Sequence, residues 1–145
     1  MNEMQKQYLE FAKNFLSRFS ENERQKVAGF LDFLMNNKTH MQQEAGIEDL
    51  FYVFSEDALN NGNFRYIEFS SWQEIENWNP QEKIDQAYLF LSAKNIGDIK
   101  MTEIVKICDC VKRHFSSSEA ADSLGVTYWE NEESLSSKLI YTSHI

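Results

Sequence analysis

The chain has 145 residues, 42% hydrophobic and 14% aromatic, which suits one ordinary domain with a filled core and excludes a disordered chain or a disulfide-stapled miniprotein. Its 14 Lys and Arg against 23 Asp and Glu leave a net charge of −9, which repels phosphate backbones and argues against nucleic acid as a partner. No run approaches the roughly 18 apolar residues that a membrane span needs, and Asn2-Glu3-Met4-Gln5 lacks the basic-then-apolar layout of a signal peptide, so no membrane association and a cytoplasmic location are expected.

Met4, Tyr8, Phe11, Phe15, Leu16 and Phe19 recur three and four apart, which predicts a first helix from about residue 3 to 19 with one apolar stripe. Ser20 and Glu23 then have the form of a capping box, the serine holding the amide of the third helical residue while the glutamate reaches back. A second helix carries Val27, Phe30, Leu31, Leu34 and Met35 on one face and stops at Asn36-Asn37; the short loop before it predicts a pair packed stripe to stripe. Thr39 opens a third helical stretch, in which Met41, Ala45, Leu50, Phe51 and Phe54 are expected to face inward although Gly46 weakens its middle. Ser55 to Asn63 reads as a loop and as the border between two subregions of a single domain, a helical 1–55 and a sheet-bearing 64–145.

Beyond that border the period changes. Phe64 to Ser70 alternates as a strand does, and Trp72 to Pro80 is predicted as a short helix or irregular connection ending before the proline. Ile84 to Phe115 is the stretch around which the rest is expected to assemble. Its residues Ala87 to Leu91 are apolar on both alternating faces, as in a strand covered on both sides, and that strand is expected to run to Ala93. Asn95 to Asp98 makes a turn, and Thr102 to Phe115 forms a helix with Ile104, Ile107, Cys108, Val111 and Phe115 inward, ended by Ser116-Ser117-Ser118. Leu124 to Trp129 and Lys138 to His144 read as strands on either side of a loop. Strand, helix, strand predicts two parallel strands joined by a right-handed crossover, with the last strand returning antiparallel as a hairpin. The class is therefore α+β: an N-terminal helical region followed by a mixed sheet of about four strands with a packed helix.

Three stretches also resemble a known family. Ala87-Tyr88-Leu89-Phe90-Leu91-Ser92, Gly97-Asp98-Ile99-Lys100-Met101-Thr102-Glu103-Ile104 and Ser134 to Thr142 resemble, in order, a strand, the turn and helix start, and the closing strand of the C-terminal domain of the bacterial tubulin homologue FtsZ. The resemblance covers residues 84–145 and implies a shared scaffold and an assembly surface. It implies no GTPase activity, because the chain holds five Gly, no two adjacent, and neither a Gly-rich phosphate loop nor the family's catalytic acidic loop has a match.

Cys108, Cys110 and His114 have the form Cys-x-Cys-x-x-x-His. On a helix, residues two apart point about 200° away from each other, so both thiolates cannot reach one ion; Cys108 is expected as packing and Cys110 on the outer face. His40, His114 and His144 sit near element ends without a nucleophile motif, and His114 is explained by its helix dipole and solvent. Neither catalysis, nor a metal, nor a cofactor is expected.

Residues 1–43 hold six Lys/Arg and five Asp/Glu, whereas 44–145 hold eight and eighteen. So acidic a surface attracts basic proteins. Acidic groups beside aromatic rings capture Lys or Arg, the ring supplying buried area and the carboxylates steering. Two segments fit: Trp129, Glu130, Glu132 and Glu133, and Glu74, Glu76 and Trp78. In overall character the chain resembles small acidic bacterial immunity proteins, and the expected function is to neutralise a basic toxin domain by direct binding. An adaptor, a secretion chaperone or a modulator of FtsZ-like assembly is the alternative, and an enzyme the third.

Overall fold

The computed structural model describes residues 3–36, 48–93, 100–130 and 137–144. Four helices come first: α1 (Glu3–Leu16), α2 (Glu21–Asn36), α3 (Glu48–Val53) and α4 (Glu56–Asn61). There follow β1 (Phe64–Phe69), α5 (Trp72–Asn77), β2 (Lys83–Ala93), α6 (Met101–Lys112), α7 (Ser118–Ala121), β3 (Gly125–Glu130) and β4 (Ser137–His144). The chain is α+β, with helices ahead of a mixed four-stranded sheet in the order β1-β4-β2-β3.

Alternation along β2 explains the layering. Tyr88 and Phe90 join Phe64, Tyr66 and Ile140 under the α1–α4 layer, where Phe15, Val27, Phe30, Leu31, Leu34, Leu50 and Phe54 are buried. Ala87, Leu89 and Leu91 join Leu139 and Tyr141 on the opposite face, under Ile75, Ile107, Val111 and Phe115. A strand apolar on both faces is thus placed between two cores, as its sequence requires. Aromatic rings knit the first core: Phe15 and Phe54 each meet Phe64 edge-on at 4.9 Å, and Phe30 meets Phe90 at 5.2 Å.

Several expectations are corrected. The stretch from Ser55 to Asn63 is not a loop but contains α4: Ser55 caps it by accepting the Ala58 N–H at 3.1 Å, Glu56 and Asp57 sit at its positive end, and Leu59 is buried. The α6 helix stops at Lys112, and Ser117 caps a further short helix, α7, that the serine run concealed. The β2–β3 pair is parallel, but β4 does not form a hairpin with β3; it lies between β1 and β2, antiparallel to both. Phe51 does not face inward: Leu50 and Phe54 fill the core, and Phe51 is left 51% exposed. The part of the third helical stretch that holds Met41 and Ala45 lies outside the described residues.

The free edge of β1 is partly taken up by the α1–α2 turn and by α5. Phe64 N–H donates to the Arg18 carbonyl at 3.2 Å, Tyr66 N–H to the Glu23 carboxylate at 2.8 Å, and just beyond the strand Ser70 N–H donates to Glu74 Oε1 at 3.0 Å. Edge amides taken up in this way offer nothing to another strand. Glu23 also holds the turn it starts from, accepting from Ser20 Oγ at 2.6 Å and Ser20 N–H at 3.3 Å, and it pairs with Arg65 at 3.4 Å. The capping box is therefore used in a modified form, with the serine hydroxyl donating to the glutamate. Burial alone would raise the Glu23 carboxyl, but the Ser20 and Tyr66 hydrogen bonds and the Arg65 charge outweigh it and hold it below its ordinary value of 4.5.

A carboxylate with a depressed pKa stabilises the fold above its unfolded value, and that stability is lost as pH falls through the folded one. Glu23→Ala is expected to cost about 2–3 kcal/mol at neutral pH, because it strands the Tyr66 amide, and the loss should shrink below about pH 4; urea unfolding of both proteins across pH checks this. Gly125 makes a second test. A Cβ there would overlap Cγ2 of Val53 in α3, a stiff β-branched side chain. Gly125→Ala is expected to destabilise by about 1–3 kcal/mol, and Val53→Ala in the same chain to restore part of it, read as a double-mutant cycle of urea midpoints.

Candidate functional site

Trp72 to Asn77 forms a short helix because Ser71 accepts the Glu74 N–H at 3.4 Å and Glu74 reaches back to Ser70. Ile75 anchors it in the second core. The carbonyls at its exit are met by the end of α6. Arg113 Nη2 donates to Glu76 O at 2.7 Å, His114 Nε2 lies 3.0 Å from Trp78 O, and Lys106 pairs with the Glu76 carboxylate at 3.3 Å. Side chains of one helix end thereby cap the carbonyls of another. Trp78 is half-buried, its ring edge-on to Phe69, His114 and Tyr141 at 5.9, 5.4 and 5.5 Å.

Of the residues singled out from sequence, Glu74, Glu76 and Trp78 are thus gathered into one junction, where each makes contacts within the fold. Trp129 and Glu130 stand in β3, paired with Ser92 and Ala93. The α5 helix packs on α6 and β1. With β3 at the other edge of the sheet, its strand lies about 14 Å across from β1, three strand spacings away. Glu132 and Glu133 lie outside the described residues.

His114, part-buried, also meets protein at the Trp78 carbonyl. The Trp78 carbonyl requires the Nε2–H tautomer, so the nearby Arg113 Nε at 3.3 Å faces the ring as a charge and not as a donor. Burial pushes the imidazole below its ordinary value of 6.5, the Trp78 carbonyl partly opposes this, and Arg113 and Lys83 add to the lowering. Cys108 and Cys110 are both half-buried free thiols on α6, and burial pushes Cys108 up, as for a packing residue. An open depression of about 490 Å³ on the outer side of α6 is lined by Thr102, Val105, Lys106, Asp109, Cys110 and Arg113; Lys106 and Arg113 are the two cations bonded to Glu76.

The α3–α4 corner carries exposed groups that no motif marks. Here Tyr52 is 87% exposed beside Phe51, and Glu56 and Asp57 follow on the surface at the start of α4. One signal was available: between Lys38 and Arg65 the chain has no Lys or Arg and five Asp or Glu. No helix among the described residues is long and apolar enough to cross a membrane. Comparison with protein-family profiles, curated proteins and solved structures finds no match.

A histidine whose folded pKa is lowered stabilises the fold fully above its unfolded value of 6.5 and less as pH falls below it, because the unfolded chain takes up the proton more readily. His114→Gln, which keeps a donor for Trp78 O, is expected to flatten the decline of the urea midpoint between about pH 7.5 and pH 5.5.

Proposed function

We propose that this chain is an acidic, non-catalytic cytoplasmic protein that neutralises a basic partner by direct binding, in the manner of a bacterial immunity protein against a toxin domain. One observation carries the reading: carboxylates outnumber cations 23 to 14, and exposed ones remain after the ion pairs within the fold are formed. Lys26 and Lys138 pair with Glu68 at 3.9 and 3.8 Å, Arg65 with Glu23 and Glu82 at 3.4 and 2.9 Å, and Lys106 with Glu76. Glu56, Asp57, Glu119 and Asp122 are exposed and form no ion pair among the described residues. Their field reaches into solvent, attracts positive surfaces and repels phosphate. An adaptor, a secretion chaperone or a modulator of FtsZ-like assembly is the second reading, favoured by the parallel β2–β3 pair with α6 between and β4 antiparallel beside it.

Affinity purification from the native cell at low and at moderate salt tests this. The expected outcome is one basic protein, held more weakly at the higher salt, whose toxic activity the purified chain abolishes at equimolar ratio. Recovery of no basic partner at either salt overturns the proposal, and co-sedimentation with an FtsZ-like filament in its place favours the second reading.

A further inference from the structure

We infer that the corner where α3 meets α4 is the docking surface for an arginine-bearing segment of the basic partner, with Tyr52 and Phe51 as its aromatic platform and Glu56 and Asp57 as its charge. This rests on the reading above that the partner is a basic protein, and adds where and how it binds.

Residues 50–54, at the end of α3 and just beyond it, are divided by helix geometry. Leu50 and Phe54 are 0% and 2% exposed, one turn apart, and Val53 lies against Gly125. That inward stripe leaves Tyr52 on the opposite side, 87% exposed, and Phe51 on the flank, 51% exposed and touching Phe11 at 4.7 Å between ring centres. Among the described residues, the core that α3 helps to fill takes nothing from position 52. Four residues on, the first turn of α4 presents Glu56 and Asp57. Helix-end charge and the Ser55 cap account for carboxylates there, but not for a tyrosine ring standing in solvent four residues before them. The stretch between Lys38 and Arg65 also supplies no cation of its own, so the charge is left for a visitor. Arginine fits both halves of the surface, since a guanidinium stacks on an aromatic face while its edge forks onto a carboxylate.

The probe is a synthetic nona-arginine peptide titrated into the isotopically labelled full chain at low salt, read by amide chemical shifts. Shifts concentrated at residues 50–58 are expected. Tyr52→Ala should weaken binding about fivefold and Tyr52→Phe restore it, while Glu56→Gln with Asp57→Asn should weaken it about tenfold. Glu119→Gln with Asp122→Asn, which removes the same charge elsewhere, should change it less than about twofold. Because Tyr52 touches solvent and not core, its variants should melt with the parent chain. Equal losses from the two charge pairs, an unaffected Tyr52→Ala, or no binding at all overturns the assignment. Binding centred elsewhere removes this corner and leaves the basic-partner reading standing, whereas failure to recover a basic partner from cells removes that reading whatever the peptide does.

Discussion

The Glu23 carboxylate is the joint on which the two halves of the molecule depend. One side chain closes the turn between α1 and α2, receives the Tyr66 amide from the edge of the sheet and faces Arg65, which in turn reaches Glu82 ahead of β2. A hydrophobic layer alone can slide on a sheet, because apolar contact is not directional. A charged acceptor with a fixed backbone donor cannot. In that register Phe64 meets Phe15 and Phe54 edge-on.

Much of the fold was legible because it is periodic. The stripes of α1 and α2, the alternation of β1 and the two apolar faces of β2 each follow from the spacing of side chains along one element. What was not legible was short or remote. Four to six residues cannot show a period, so α4 and α7 were concealed by polar composition, and only their caps, Ser55 and Ser117, betray them. The position of β4 depends on pairing with residues far away in the chain, Phe64 with Thr142 among them, and no local pattern encodes that.

The same distinction governs the surface. Net charge and the basic-free stretch from 39 to 64 could be read directly, since they are counts. The work of Glu76 and Trp78 could not, because their partners Arg113 and His114, just past the end of α6, lie 36 or 37 residues on. Phe51 sits next to the buried Leu50 in sequence and about a quarter-turn away from it in space, so the helical period alone does not decide which of the two enters the core.

The central place of β4 has a consequence for how the molecule comes together. The strand that joins β1 to β2 is made after every other described element, and both cores wait for it: Ile140 completes the one and Leu139 the other. Until it arrives, the helical layer has no finished floor, and β1 and β2 each present a row of unpaired backbone groups. Contacts that span most of the chain carry a larger loop-closure entropy than local ones, and those that bring β4 between β1 and β2 are of this kind. A nascent chain paused before β4 would carry two open strand edges and half-covered aromatic surface, the combination that chaperones bind and aggregates exploit.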